Sequence, residues 1–251
     1  MSWSLALKNL FLPVFCKLCG ERLLTEENGF FCPTCWDLSP RIARPFCNRC
    51  GRPHESMVGF GALTNFPCAD CREQPNPHVN RVYGSAVYEG AVKEAVKLLK
   101  FHEKRRLAPL MAELMAEIVQ AEMEPERYDF LVPVPLHKVR LRERGFNQSL
   151  LLAEAIAPLF PQAPLNTDLQ RIRPTRVQSR LKGDARQANV RGAFAVAGDA
   201  LQGKCVLLVD DVITTMGTIT ECAHALKRAG AREVDVLAVA LATRKRDFED
   251  V

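Results

Sequence analysis

The chain has 251 residues, of which 47% are hydrophobic and 25% charged, and its formal net charge is +5 at pH 7. This length can bury one large core, or a core domain beside a small module, and so mild a charge does not by itself indicate a nucleic-acid partner. The apolar runs are too short to span a bilayer, and residues 1–15 lack the features of a signal peptide. We therefore expect a cytoplasmic protein without membrane insertion.

The cysteines are concentrated near the start of the chain, because eight of the ten lie between residues 16 and 71. A CxxC turn brings two thiolates to one metal ion, and two such turns complete a tetrahedral four-sulfur site. The spacings between the pairs are typical of structural zinc ribbons. The sequence therefore predicts a double zinc-ribbon module in residues 1–75, with two structural Zn²⁺ ions. The predicted ligands are Cys16, Cys19, Cys32, Cys35, Cys47, Cys50, Cys68 and Cys71.

These cysteines also allow other interpretations. A disulfide framework suits an exported protein, and the lack of an export signal disfavours it; a redox role does not need four CxxC pairs. The pairs can share zinc sequentially or in an interleaved way, and the sequential arrangement is favoured while both stay open. His54 and His78 are candidate ligands too, but eight cysteines already fill two sites, so both are expected at the surface. Closed four-cysteine sites have no open coordination position, which indicates a structural or interaction role.

From residue 81 onward, strand patterns alternate with helix patterns, after a linker at 74–80 that is rich in proline and asparagine. This alternation predicts an α/β domain, residues 81–251, in which helices flank a parallel sheet. Ligands of such sheets bind at the carboxyl ends of the strands, so the loops after Pro135 and Asp211 are the predicted ligand loops. The predicted strands are 81–90 (a strand or part of a hairpin), 128–135, 204–211 and 234–242, and the predicted helices are 91–101, 107–123, 147–160 and 217–231.

The stretch VLLVDDVITTMGT, residues 206–218, ends a buried strand on two adjacent carboxylates and begins a helix after a hydroxyl-rich turn. The amino end of a helix offers free N–H groups and a partial positive charge to an anion. Asp210 and Asp211 would repel a phosphate, but they suit the vicinal hydroxyls of a sugar, or a magnesium ion held through water. The pattern therefore indicates a site for a phosphorylated ribose; the simpler alternative is that Asp211 or a threonine of the turn only caps the helix.

This stretch resembles the phosphoribosyl pyrophosphate (PRPP) signature of type I phosphoribosyltransferases, and the wider pattern resembles the ComF/GntX family. The resemblance rests on the paired CxxC motifs, LLKF at 98–101, PVPLHKVRLRERGFNQ at 133–148, the QSR and NVRGAF elements near 178–194, and VLLVDDVITT. It implies the type I phosphoribosyltransferase fold, with five parallel strands and a flexible hood. It also implies an association with DNA uptake during natural competence.

The resemblance further implies roles for individual residues. Asp210 and Asp211 would contact the ribose hydroxyls as catalytic residues, the loop 133–148 would hold the pyrophosphate, and Mg²⁺ would bind with PRPP. The family pattern most often has glycine where this chain has Met216, so the geometry of the phosphate loop is expected to differ there. The residues implied to hold the 5′-phosphate are Thr214, Thr215, Gly217 and Thr218.

Two basic segments, 138–144 and 171–191, flank the predicted phosphate site, and fixed cations there would stabilise a leaving pyrophosphate. Lys100, Arg142 and Arg144 are the candidates on the pyrophosphate side. The sequence thus predicts a PRPP-binding protein of the phosphoribosyltransferase type that transfers phosphoribose to an unidentified acceptor. The alternative is a non-catalytic adaptor for DNA uptake, whose zinc module and basic segments contact single-stranded DNA or a helicase partner.

Overall fold

The computed structural model describes residues 13–23, 29–54, 64–174 and 190–243. The first four elements belong to the cysteine-rich segment, and the later ones alternate between strand and helix as predicted. In chain order they are β1 (Val14–Phe15), β2 (Arg22–Leu23), α1 (Pro33–Asp37), α2 (Ala69–Glu73), β3 (Val82–Val87), α3 (Gly90–His102), α4 (Leu107–Glu122), β4 (Phe130–Pro133), α5 (Lys138–Arg144), α6 (Gln148–Ile156), β5 (Leu169–Arg171), β6 (Phe194–Val196), β7 (Cys205–Ile213), α7 (Gly217–Arg228) and β8 (Glu233–Leu241).

Four parallel strands form the central sheet, in the order β3-β8-β7-β4. The two central strands, β7 and β8, are rich in valine, leucine and alanine and are almost fully buried, as expected of a parallel sheet that is covered on both faces. Helices α4 and α6 pack on the strands and on each other, while α7 packs on β8 and on the β5–β6 hairpin. This confirms the predicted α/β fold, and it brings the carboxyl ends of β4 and β7 side by side.

The basic segment 138–144 is a helix, α5, and the sequence prediction of a loop there was wrong. The His137 side chain accepts a hydrogen bond from the Val139 N–H at the start of this helix. Gly145, with a φ of 74°, ends it in the left-handed conformation that glycine adopts most easily. These local capping signals outweigh the concentration of basic residues on which the loop prediction was based.

The strands also differ in detail from the sequence prediction. β7 continues to Ile213, beyond the predicted end at Asp211, so Asp210 and Asp211 lie within the strand and not at its end. Among the described residues the parallel sheet has four strands, where the family resemblance implied five. At the outer side of β4, Leu165 makes a single parallel bridge with Leu131 and no further pairing.

The cysteine-rich segment docks on the outer edge of β3. Its backbone around Arg41 runs antiparallel to that strand: the Ile42 N–H donates to the Ser85 carbonyl at 3.0 Å, and the Val87 N–H donates to the Pro40 carbonyl at 2.8 Å. Backbone groups on an edge strand are otherwise exposed to water or to another chain. The docking therefore protects this edge of the sheet.

Side chains extend the same interface. Trp36 of α1 belongs to one hydrophobic cluster with α3 and the sheet, and Arg44 makes two hydrogen bonds with the Glu122 carboxylate of α4, at 2.5 and 3.0 Å. Gly51 approaches β3 so closely that an added Cβ would lie 2.6 Å from the Val82 carbonyl oxygen. The cysteine-rich segment is therefore packed into the core and is not merely tethered to it.

Some sequence predictions concern other parts of the chain. Residues 175–189, which contain the QSR element and most of the basic segment 171–191, lie outside the described residues, and so do residues 1–12, where a signal peptide would begin. Within the described ranges, no helix combines the length and the apolar character needed to cross a bilayer.

Candidate functional site

Two adjacent buried carboxylates lie near the carboxyl end of β7. Asp210 is 8% exposed and Asp211 only 2%. Successive side chains leave a strand in opposite directions, and these two carboxylates accordingly have different partners. Asp210 accepts a hydrogen bond from the Ser149 hydroxyl of α6 at 2.9 Å, while Asp211 forms an ion pair with the Lys100 ammonium of α3 at 2.8 Å. The structure thus joins three elements that are distant in sequence at one point.

One lysine faces two buried carboxylates. Burial disfavours the charged ammonium of Lys100, but Asp211 and Asp210 outweigh this effect and raise its pKa. Burial, together with the negative charge of Asp211, raises the pKa of Asp210 to about 7. A pKa so displaced beside a specific charged partner is characteristic of functional sites. Lys100 balances only part of the negative charge of Asp210 and Asp211. A ligand that brings a cation or hydroxyl donors would balance the rest.

Ser149 is a site residue that the sequence analysis did not identify. Asn147 caps α6: its side-chain oxygen accepts the Ser149 N–H, and its side-chain nitrogen donates to the Val134 carbonyl, both at 3.1 Å. These bonds fix the start of α6 against the end of β4 and direct the Ser149 hydroxyl to Asp210. The residues NQS do signal a helix amino terminus, but a contact across 61 residues leaves no local pattern.

The turn between β7 and α7 contains the residues predicted to bind phosphate. It is short, because β7 ends at Ile213 and α7 begins at Gly217. A helix amino end offers N–H groups to an anion, and the hydroxyls around it can add further donors. The structure places all of the predicted residues in this turn or in the first turn of α7: Thr214, Thr215, Gly217 and Thr218.

Met216 takes the N-cap position of α7, with a φ of −69° and a ψ of −7°. This conformation does not require glycine, and the side chain is partly buried against the hydrophobic core. Met216 makes no side-chain cap, and Asp211 accepts the N–H of Val212 within the strand and not one from the helix. Neither residue therefore caps α7, and the helix-cap alternative does not explain why an acid stands at position 211.

The three predicted pyrophosphate-side residues have different positions. Lys100 lies against Asp211, as described above. Arg144, at the end of α5, has its guanidinium carbon 5.9 Å from the centre of the Phe101 ring. Burial lowers the pKa of Arg144, and the negative charge of Asp211 opposes this effect. Arg142 is exposed on α5.

Arg171 of β5 is another cation that the sequence analysis did not single out. Its guanidinium carbon lies 5.3 Å from the centre of the Phe194 ring. Burial lowers the pKa of Arg171, while Cys222 and Asp210 oppose the effect, so that Arg171 too is electrostatically coupled to the site. The one sequence signal for Arg171 was its position at the start of the basic segment 171–191. The direction of its side chain depends on the pairing of β5 with β6, which a local sequence pattern does not reveal.

The eight N-terminal cysteines form two clusters, and their pairing is sequential. Within each cluster the sulfur atoms all lie within 4.8 Å of one another. A regular tetrahedron with Zn–S bonds of about 2.3 Å has sulfur–sulfur edges of about 3.8 Å. The Cys19–Cys32 and Cys50–Cys68 sulfur distances are 3.7 and 3.8 Å, so both clusters fit structural Zn²⁺. One cluster contains Cys16, Cys19, Cys32 and Cys35, and the other contains Cys47, Cys50, Cys68 and Cys71.

In each cluster, hydrogen bonds lower the pKa of one cysteine and so favour its thiolate form. The Cys50 thiol and nearby backbone N–H groups lower the pKa of Cys47 to about 4. Burial opposes ionisation of Cys16, but hydrogen bonds from backbone N–H groups outweigh it and lower its pKa to about 6. Burial and neighbouring thiolates raise the pKa of Cys71 to about 12, because four sulfur anions repel one another until a cation joins them.

The other interpretations of these cysteines are not observed. All ten cysteines of the chain are free of disulfide bonds. His54 Nε2 lies 3.0 Å from the Phe66 carbonyl oxygen, and the ring of His78 packs on that of His224. Neither histidine belongs to a cysteine cluster, as expected from the number of cysteines.

Two domain families match this chain. The Double zinc ribbon domain matches residues 7–72, and the Phosphoribosyl transferase domain matches residues 147–250. The second range contains Ser149, both aspartates of β7 and the turn before α7. The α/β part of the protein therefore has the phosphoribosyltransferase fold, and the cysteine clusters are zinc-ribbon sites.

Curated relatives resemble the chain over most of its length. The competence protein ComFC of Bacillus subtilis is 28% identical over 235 residues, which cover 86% of this chain and 90% of that protein. The DNA utilization protein YhgH of Salmonella typhimurium is 32% identical over 230 residues, which cover 90% of this chain and 96% of that protein. This chain belongs to the ComF family.

Solved structures resemble this ComF-family chain only distantly. A purine phosphoribosyltransferase from Pyrococcus horikoshii aligns with 52% of this chain and 69% of its own, at 18% sequence identity and a TM-score of 0.33. So low a score adds nothing to the fold assignment, which stands on the domain match and on the topology of the sheet.

Proposed function

We propose that this ComF-family protein binds PRPP, or a closely related sugar phosphate, at the carboxyl end of β7 and transfers its phosphoribosyl group to an acceptor. The observation that carries the proposal is the buried pair Asp210–Asp211, held by α6 and α3 and followed by a short turn into α7. Carboxylates accept hydrogen bonds from ribose hydroxyls. The amino end of α7, which its N-cap residue leaves without a side-chain cap, suits the 5′-phosphate.

The proposed chemistry is a substitution at ribose C1. The bond from C1 to the pyrophosphate oxygen breaks and its electron pair leaves with pyrophosphate, while the acceptor supplies the pair for the new bond. Asp210 and Asp211 hold the ribose hydroxyls, and their negative charge favours the positive charge that develops on the ring. Lys100 and Arg144 offer positive charge to the leaving group.

The remaining assignments complete the proposed site. Arg142 of α5 belongs to the pyrophosphate side. Carboxylate oxygens are the donors that Mg²⁺ prefers, so Asp210 and Asp211 would hold the ion through water; when bound with PRPP, it would neutralise pyrophosphate charge. A cytoplasmic location fits the proposal, because a reducing compartment keeps the eight cysteines available to zinc. The residues assigned to the 5′-phosphate are Thr214, Thr215, Gly217 and Thr218.

Calorimetry with PRPP tests this function. We expect saturable binding in the presence of Mg²⁺, weaker binding with a chelator of Mg²⁺, and at least a tenfold loss in an Asp211→Asn variant. Asp199→Asn is the matched control, because Asp199 is an exposed acid in another part of the fold, and it should bind as the wild type does. If neither the wild type nor the control binds PRPP, the proposed function is wrong. Pyrophosphate release in the presence of a metabolite extract then tests for an acceptor.

A second candidate function is contact with single-stranded DNA, and one surface favours it. The ends of α3 and α5 meet where the Arg105 guanidinium carbon lies 4.6 Å from the centre of the Phe146 ring. Beside this contact Phe101 is 70% exposed, with Arg144 over its ring. Cations that follow a phosphate backbone, with an exposed aromatic ring that can stack on a base, are typical of single-strand binding. The names of the relatives, which refer to DNA utilization and competence, agree with this role.

Fluorescence anisotropy with a labelled oligothymidine tests this second function. We expect weak binding that falls steeply as salt increases, and a further loss in Phe101→Ala. Leu165→Ala is the control, because Leu165 is 36% exposed at the outer side of β4, outside the cysteine-rich segment and the basic segments. Binding that ignores salt, or that Phe101→Ala leaves unchanged, would count against a DNA-binding surface here.

A further inference from the structure

A cavity of about 710 Å³ lies beside the candidate site, between α5, α6 and β5. Neither aspartate of β7, nor Lys100, nor any of the residues assigned to the 5′-phosphate lines it. Its volume is in the range of about 300–1,000 Å³ that is usual for pockets that bind small organic molecules. Part of the lining, from Pro133 to Asn147, belongs to the segment 133–148 that is expected to hold the pyrophosphate. The walls that α6 and β5 contribute are not accounted for by the proposed transfer reaction.

The walls of this cavity are mainly apolar and partly exposed. Leu136, Leu141, Phe146, Leu151 and Ile172 contribute large apolar side chains to the lining. Leu141 is 41% exposed and Ile172 60% exposed. Apolar side chains that line a concave site and remain in contact with water usually mark a place where a ligand or partner binds.

The polar groups of the lining carry net positive charge. Among the described residues of the lining, Lys138 and Arg171 are the permanent cations and Glu154 is the acid. Arg171 is partly buried, with its guanidinium carbon 5.3 Å from the centre of the Phe194 ring, and burial lowers its pKa. An anion at this wall of the cavity would add to the interactions that stabilise its charge. Asn147 and Gln170 add neutral hydrogen-bonding groups. The cavity lining thus combines apolar walls with positively charged side chains.

We propose that this cavity binds an organic anion with an apolar body: an aromatic or aliphatic molecule that carries a carboxylate, sulfonate or phosphate. The apolar body would lie against Leu141, Leu151 and Ile172, and the anionic group would face Lys138 and Arg171. This site adjoins the segment 133–148 that is expected to hold the pyrophosphate, but it contains none of the residues assigned to the ribose or the 5′-phosphate. It does not depend on the protein's acting as a transferase.

The fluorescent probe 8-anilinonaphthalene-1-sulfonate has this chemistry and tests the proposal directly. It combines two aromatic ring systems with one sulfonate, and its emission increases in an apolar environment. With the folded full-length protein we expect one saturable site per chain. An excess of ribose 5-phosphate should leave the signal unchanged, because that molecule belongs to the other site. A failure of the proposed PRPP function would leave this result unaffected.

Two substitutions make the cavity lining more negative without changing a residue of the hydrophobic core. Leu141→Glu places a negative charge on the apolar wall, and Lys138→Glu reverses one of the two cations; each should weaken probe binding at least tenfold. The controls are Leu38→Glu and Lys17→Glu, since both residues are exposed in the cysteine-rich segment, and both should bind as the wild type does. Near-ultraviolet circular dichroism confirms that each variant is folded.

Three results would overturn the proposal. One is the absence of saturable binding to the wild type. Another is unchanged affinity in both Leu141→Glu and Lys138→Glu. The third is displacement of the probe by ribose 5-phosphate, which would place it in the site at the end of β7.

Discussion

The Lys100 ammonium lies 2.8 Å from a carboxylate oxygen of Asp211. Asp211 is 2% exposed and the Lys100 side chain 23% exposed, so the pair is largely shielded from water. It connects the last part of α3 to the carboxyl end of β7, where the proposed ligand would bind. A buried pair of this kind is costly to break, because removing one partner leaves the other charge unpaired.

Replacing Lys100 by methionine should therefore destabilise the protein. We expect Lys100→Met to lower the free energy of unfolding by about 3–5 kcal/mol, since Asp211 is then buried without a counter-charge. Urea denaturation measures the difference. Lys97→Met is the matched control on the same helix: Lys97 pairs with Glu94 at the surface, and its loss should have little effect.

The double variant Lys100→Met, Asp211→Asn separates the ion pair from simple packing. It removes both charges, so it should recover most of the stability that Lys100→Met loses. If the double variant is as unstable as the single one, the loss does not arise from an unpaired Asp211.

Asp210 should make the stability of the protein depend on pH. Because the fold raises the pKa of Asp210 to about 7, the folded state favours its protonated form, and this contribution is lost as pH rises from the usual aspartate range toward 7. Asp210→Asn cannot lose a proton, and its side-chain oxygen can still accept the Ser149 hydroxyl. The Tm of Asp210→Asn should thus exceed that of the wild type by a margin that grows from about pH 4 to about pH 7 and levels off above it.

Thermal unfolding of both proteins across this range provides the measurement. A margin that stays constant with pH, or that shrinks as pH rises, would show that Asp210 is ionised throughout and that its environment is more polar than its burial suggests.

The docking of the cysteine-rich segment on β3 can be tested with two glycines. Gly51 and Gly198 have almost the same φ, 73° and 74°, so an alanine suffers the same backbone strain at either position. A Cβ at Gly51 would also lie 2.6 Å from the Val82 carbonyl oxygen, whereas nothing lies within 4 Å at Gly198. We expect Gly51→Ala to cost about 1–3 kcal/mol more than Gly198→Ala. Equal losses in urea denaturation would mean that the segment does not pack on β3 in solution.

Zinc removal should weaken the whole protein and not only its first part. Cys32, a member of the first cysteine cluster, and the nearby Trp36 belong to the same hydrophobic cluster as the sheet. We expect a chelator to lower the Tm of a single cooperative transition. Metal analysis should find two zinc ions per chain, one in Cys47→Ser, and two in the control Cys205→Ser, since Cys205 lies in β7 and outside both clusters. Two separate transitions after chelation would contradict the shared core.

Local sequence patterns were sufficient to predict most of the fold. The continuous apolar runs of β7 and β8 indicate strands that are buried on both faces, and the CxxC spacing indicates two zinc ribbons. The spacing did not decide how the pairs are shared, because sequential and interleaved pairing both satisfy it. The start of α5 depends on one hydrogen bond, from the Val139 N–H to His137, and the basic composition of 138–144 concealed it.

The candidate site was only partly predictable. Asp210 and Asp211 could be found because they stand between a buried strand and a hydroxyl-rich turn. Their partners could not be found in this way, since Ser149 and Lys100 reach them only when α6 and α3 pack on the sheet. The sequence suggested a pyrophosphate role for Lys100 from its charge alone. In the structure Lys100 also forms an ion pair with Asp211 and so holds that carboxylate in place.

The central claim is that Asp210 and Asp211 bind the hydroxyls of a ribose, and comparison of two sugars tests it most directly. Calorimetry should measure the affinity of the wild type for ribose 5-phosphate and for 2-deoxyribose 5-phosphate. Because a hydrogen bond to a charged group contributes about 1.5–3 kcal/mol, we expect the deoxy sugar to bind about tenfold or more weakly. The preference should disappear in the Asp210→Asn, Asp211→Asn double variant. Equal affinity of the wild type for the two sugars, or a preference that survives in the double variant, would contradict the claim.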